Sequence, residues 1–147
     1  MTAHLHLYRQ QQVQHEVEQA SPVKLTLLLY DKEVFLLRQA LVRLKEGEVA
    51  KKGEAILKAT EILSELKAIL NLEEGGEIAI QLDNLYTFMV QQLTAANLGN
   101  QPEPITGVLK IVEELREGWR ELEQMEKAEA TAGTLTTPLQ PSPSLVR

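Results

Sequence analysis

Val49, Ile56, Leu63 and Leu70 recur every seven residues, with Ala59 and Leu66 between them. Seven residues make two turns of an α-helix, so these side chains stack into one stripe that other helices must cover; in a strand they would alternate between faces. A second stripe, Ala55, Ile62 and Ile69, lies beside the first. The spacing predicts a helix over residues 48–72.

The flanking segments carry the same period. Ser21 is placed to cap a helix whose first position is Pro22, where φ is preset and no amide is wasted. That helix runs over 22–46 and stops at Gly47. Its residues Leu25, Leu29, Leu36 and Ala40 form one face, while Leu27, Leu28, Val34, Phe35, Leu37, Leu41 and Val42 point in nearly every other direction. Glu74-Gly75-Gly76 breaks the chain before a helix over 77–98, with Ile78, Leu82, Leu85, Met89, Leu93 and Ala96 on its buried face and Gly99 as its stop. Beyond Pro102 and Pro104, a last helix over 104–130 carries Ile105, Val108, Val112, Leu115, Trp119 and Leu122 at spacings of three and four. A shorter, Gln-rich helix over 5–19 brings Leu5, Tyr8 and Val17 near one face. Residues 131–147, rich in Thr, Ser and Pro, bury too little to offset ordering entropy and read as a disordered tail. Short links make neighbouring helices antiparallel, so the expected fold is all-α. It is an antiparallel up-and-down four-helix bundle with a short extra N-terminal helix, one domain over 1–130.

Composition narrows the chemistry. A net charge of -6 argues against nucleic-acid binding, which rests on clustered Lys and Arg. No stretch approaches the roughly 18 consecutive apolar residues of a membrane span, so membrane insertion is not expected. The chain has no cysteine, which excludes disulfides, thiolate metal sites and a thiol nucleophile, and fits a cytoplasmic home. Its histidines, His4, His6 and His15, precede the long helices, so a di-iron carboxylate site built from Glu-x-x-His pairs has no ligands. Ser21, Ser64, Ser142 and Ser144 have no base in a suitable pattern, and Gly75-Gly76 lacks the remainder of a phosphate-binding loop. No enzymatic activity, metal or cofactor is expected.

What remains is apolar surface. Helix 22–46 and the stripe of Ala55, Ile62 and Ile69 exceed what one bundle seam buries, and surplus apolar area marks a partner site. Periodicity does not separate that reading from one in which helix 5–19 covers the excess.

The order of several motifs resembles a known family. Ala20-Ser21-Pro22, Lys24-Leu25 and Leu27-Leu28-Leu29-Tyr30-Asp31 are similar to the opening of the flagellar secretion chaperones of the FliS family. Lys58-Ala59-Thr60-Glu61-Ile62-Leu63, Glu65-Leu66 and Leu70-Asn71 resemble its second long helix, and Leu85-Tyr86, Phe88-Met89, Leu93 and Ala96-Asn97 its third. Leu115-Arg116 with Gly118-Trp119 resembles its closing helix, so the likeness spans roughly residues 8 to 124. Lys32 departs from the family's frequent Gly.

The resemblance implies a cytoplasmic export chaperone that binds the C-terminal segment of flagellin, prevents premature polymerisation and delivers it to the flagellar export apparatus. Export apparatus components or a co-chaperone would be further partners. The groove expected on this basis comprises Leu28, Phe35, Leu37, Leu41, Ile62, Ile69, Leu72, Tyr86 and Leu93, with Asp31 and Asn71 as polar positioning groups. Tyr8 and Val17 belong to a displaceable cover. Each apolar member has ordinary core as its alternative. The competing function is a structural bundle serving as a homo-oligomerisation or adaptor module.

Overall fold

The computed structural model describes residues 21–132 and 145–146. Four helices follow in order: α1 Pro22–Lys45, α2 Val49–Ala68, α3 Leu72–Gly99 and α4 Pro102–Ala132. They form the expected all-α bundle, with no strand among the described residues. The expected helix over 5–19, with Tyr8 and Val17, lies outside the described residues, as do residues 133–144 of the expected tail.

Local chemistry sets the helix ends. The Ser21 hydroxyl accepts the Lys24 amide at 3.1 Å, so the cap acts as expected. Gly47, at φ +76°, turns the chain out of α1 in a conformation open to glycine without a Cβ penalty. The break after α2 comes earlier than Glu74-Gly75-Gly76. α2 ends at Ala68, and Asn71 then caps α3 by accepting the Glu74 amide at 3.1 Å, so helix restarts at Leu72. Gly76, at φ 60° and ψ -140°, kinks α3 one turn later. At the far end, Asn100 rather than Gly99 takes the left-handed cap, at φ 50°. α4 starts at Pro102, a favoured first position, and continues through Thr131 and Ala132 into the expected tail.

The helices pack in a square: α1 against α2 and α4, and α3 against the same two. Side-chain bonds fix their directions. Along α1, Lys24, Asp31 and Arg38 pair with Glu123, Arg116 and Glu113 of α4, one series rising as the other falls. Between α2 and α3, the Lys52 ammonium donates to the Asn97 carbonyl at 3.0 Å and to Asn100 Oδ1 at 2.6 Å, and Lys67 Nζ donates to Thr87 Oγ1 at 2.6 Å. Adjacent helices are therefore antiparallel. The surface ion pairs record register more than they stabilise.

The square also accounts for the second stripe on α2. With α1 on one side and α3 on the other, α2 buries both stripes: Ala55 and Ile62 are core, together with Ile56, Ala59, Leu63 and Leu66. On α1 the buried face centres on Tyr30, with Val23, Leu27, Val34, Leu37 and Ala40 around it. Leu25 and Leu29 are half-buried at its edge. Ile78 and Val49, expected on buried stripes, are exposed near the starts of their helices.

Candidate protein-binding surface

Close packing leaves apolar groups outside in a pattern. On α1, Leu28, Phe35 and Val42 follow one another at intervals of seven and share the face turned away from Tyr30. Leu28 is half-buried, while Phe35 and Val42 are 58% and 51% exposed. An exposed Phe aligned with two aliphatic neighbours is an apolar strip, not a scattered surface residue.

A second apolar feature lies between α3 and α4. Phe88 and Gln92 face Pro104, Gly107, Val108 and Ile111 across a groove of about 370 Å³. Gly107 carries no side chain to fill it, and Phe88 remains 45% exposed along its edge. On the same sides of the two helices, Ile78, Leu85, Leu115, Leu122 and Met125 extend the apolar character toward the α2–α3 junction. A helical or extended apolar chain fits such grooves by side-chain burial, with the polar outer face of α4 between them.

The expected groove residues divide by position. Phe35 and Leu28 lie on the α1 strip, and Leu41 is half-buried against the core. Ile69, Asn71 and Leu72 come together at the α2–α3 junction, where Leu72 is 42% exposed. Leu37, Ile62, Tyr86 and Leu93 are interior residues of the cluster at the centre of the bundle. Asp31 is exposed but engaged, accepting from Arg116 Nη1 at 3.4 Å with Arg120 Nη2 at 3.7 Å, so its carboxylate ties α1 to α4.

The interior holds polar groups that periodicity did not reveal. The Tyr30 and Tyr86 hydroxyls hydrogen-bond to each other, and the Trp119 ring lies 6.3 Å from that of Tyr30. Burial pushes the Tyr30 hydroxyl up to about 12 and Tyr86 further still, so both keep their protons. Burial also pushes the Glu33 carboxyl up to about 9. Both of its oxygens lack a hydrogen-bond partner among the described residues. None of these groups lines the groove at Phe88 and Ile111.

Val42 on the strip and Phe88 and Ile111 in the groove are apolar surface residues outside the expected groove set. The signal lay in helical phase: Phe88 stands well off the line of Leu82, Met89 and Leu93, and Val42 is one heptad beyond Phe35. Among the described residues no helix is long and apolar enough to cross a membrane, and no group of His, Asp or Glu is arranged to hold a metal ion.

Known proteins share this pattern over most of the chain. The family model described as flagellar protein FliS matches residues 4–126. The flagellar secretion chaperone FliS of Vibrio cholerae serotype O1 is 34% identical over 122 residues, covering 83% of this chain and 90% of that one. Its counterpart in Salmonella typhimurium is 39% identical over 116 residues, 78% of this chain and 86% of the relative. The chaperone FliSB of Pseudomonas aeruginosa is 33% identical over 112 residues, 76% and 89% of the respective chains. A match running from before α1 into α4, joined to an all-helical bundle with apolar strips on its outside, places this chain in the FliS family of flagellar secretion chaperones.

Proposed function

We propose that the chain binds the C-terminal segment of flagellin in the cytoplasm, keeps it from polymerising and hands it to the flagellar export apparatus. The observation that carries this reading is the exposed strip of Leu28, Phe35 and Val42 on a helix whose opposite face is fully packed. The groove at Phe88 and Ile111 supplies a second contact, so a guest chain would wrap around α4. A flagellin terminus that is amphipathic when helical would lay its apolar side into both and lose the surface by which it self-associates. In this reading the segment around Tyr8 and Val17 is the cover that the guest displaces.

Ordering the guest costs free energy, so a few buried anchors carry the affinity. Phe35 is the first of these. Titration of the full chain with a peptide of flagellin's C-terminal segment tests the assignment: Phe35→Glu with Val42→Glu is expected to weaken binding more than about tenfold while the melting temperature holds. Undiminished binding by that variant would remove the strip from the site.

The heptad spacing of the same strip favours one other reading, a surface for pairing with a second copy of the chain. Sedimentation separates the two. A chaperone runs as a monomer that becomes a one-to-one complex with the peptide, and a stable homo-oligomer that ignores the peptide supports pairing.

A further inference from the structure

The α2–α3 junction already holds a short apolar pair, Leu145 and Val146, bridged to Leu70, and that pair belongs to this chain. Leu145 and Val146 return from beyond α4 and lie against Leu70 in an antiparallel bridge. The Asn71 amide, outside the hydrogen-bond ladder of either helix, donates to the Leu145 carbonyl at 3.0 Å. Val146 is only 7% exposed within the same cluster as Leu70, and Leu145 packs at its edge. A free backbone donor beside an apolar hollow is what captures an extended peptide by strand addition.

The occupied hollow adjoins the proposed guest surface. Ile69 and Leu72 flank Leu70 and Asn71, and the exposed Ile78 begins the next stretch of α3. A chain of apolar character that reaches Leu70 finds Val146 already paired with it. Among the described residues the contact is small, Leu145 and Val146 against Leu70 with the Asn71–Leu145 hydrogen bond, and belonging to the same chain raises the occupant's local concentration. Such an occupant protects the hollow yet yields to a guest with further anchors elsewhere.

We propose that the α2–α3 junction is a docking site for a short extended apolar segment, held in cis by Leu145 and Val146, which the guest displaces. Removing the occupant raises the fraction of binding-competent molecules, and apparent affinity rises by the same factor. The proposal rests on the flagellin-binding reading, and the test separates the two.

The chain has no cysteine of its own, so a disulfide between bridge partners is a clean lock. Antiparallel bridge partners stand within disulfide reach. The full chain bearing both Leu70→Cys and Val146→Cys is titrated with the flagellin peptide, oxidised and then reduced. Oxidation is expected to weaken binding about tenfold or more, with recovery on reduction, while Val146→Asp and Leu145→Ser in the otherwise unaltered chain each tighten it roughly three- to tenfold. Equal affinity in the oxidised and reduced forms overturns the competition and leaves the chaperone reading standing. No binding by the unaltered chain or any variant overturns that reading and the competition with it. A disulfide that joins two chains on a non-reducing gel overturns docking in cis.

Discussion

The hydroxyls of Tyr30 and Tyr86 hydrogen-bond to each other across the diagonal of the bundle, joining α1 to α3, which sit at opposite corners of the square. Their rings are 6.5 Å apart and tilted by 49°, an offset that suits aromatic packing. Both phenols are buried, so each is the other's means of satisfying a polar atom in an apolar interior.

Tyr30→Phe is therefore expected to cost about 1–3 kcal/mol, because the Tyr86 hydroxyl stays buried without its partner, and Tyr86→Phe less, because Trp119 still stands beside the Tyr30 hydroxyl. Phe at both is expected to cost less than the sum of the single changes. Denaturant unfolding of the two single variants and the double variant measures the coupling. Strict additivity would mean that the bond contributes nothing.

Glu33 sets a pH dependence. Its carboxyl is pushed up by burial to about 9 in the folded chain and ionises near 4.5 when unfolded. The folded state thus binds the extra proton. The group's contribution is complete below pH 4.5 and is lost as pH rises toward 9, at up to about 1.4 kcal/mol per pH unit. Glu33→Gln is expected to flatten this slope and to stabilise the fold by an amount on the order of 3 kcal/mol at pH 7. Melting curves between pH 5 and 8 decide it: a gain that does not grow with pH contradicts the burial argument.

Lys52 locks the other end of the bundle. Although 1% exposed, its ammonium reaches the Asn97 carbonyl and the Asn100 side chain at the left-handed end of α3. Lys52→Met keeps the stem packed and removes both bonds, at an expected cost of about 1–3 kcal/mol. Hydrogen exchange at the Gln101 amide, which donates to the Ala96 carbonyl, is expected to quicken at the same time.

At Gly76 the backbone lies at φ 60° and ψ -140°, a region that side-chain-bearing residues avoid, although nothing stands within 4 Å of a Cβ there. Gly76→Ala is expected to destabilise by about 1–3 kcal/mol through strain alone. A neutral result would show that the kink relaxes without loss. Gly118, mid-helix and equally open, is the control: Ala there is expected to stabilise by up to about 1 kcal/mol.

Leu37 and Phe35 separate core from surface two residues apart. Leu37 is fully buried, so Leu37→Glu inserts an unpaired charge and is expected to cost more than about 4 kcal/mol, visible as lost helical circular dichroism. Phe35→Glu is expected to leave that signal within about 0.5 kcal/mol of the original stability. The same contrast holds for Ile62 against Val42.

The seven-residue stripe of α2, the Ser21-Pro22 start, the Gly47 stop and the paired prolines before α4 were legible because helix period and end chemistry are local. Each depends on residues within one or two turns. The likeness of ordered motifs to the FliS family was legible for the same reason, since it lives in residue type and spacing. Which apolar side faces inward was not local. Leu37, Ile62, Tyr86 and Leu93 are interior because α1 and α3 each meet two neighbours, and the square of four helices absorbs the second stripe on α2. Phe35, Val42 and Phe88 are exposed because they point away from that square. Nor could composition place Leu145 and Val146 on Leu70: a Thr-, Ser- and Pro-rich stretch reads alike along its length, and a two-residue contact is decided by the hollow that tertiary packing leaves at the junction.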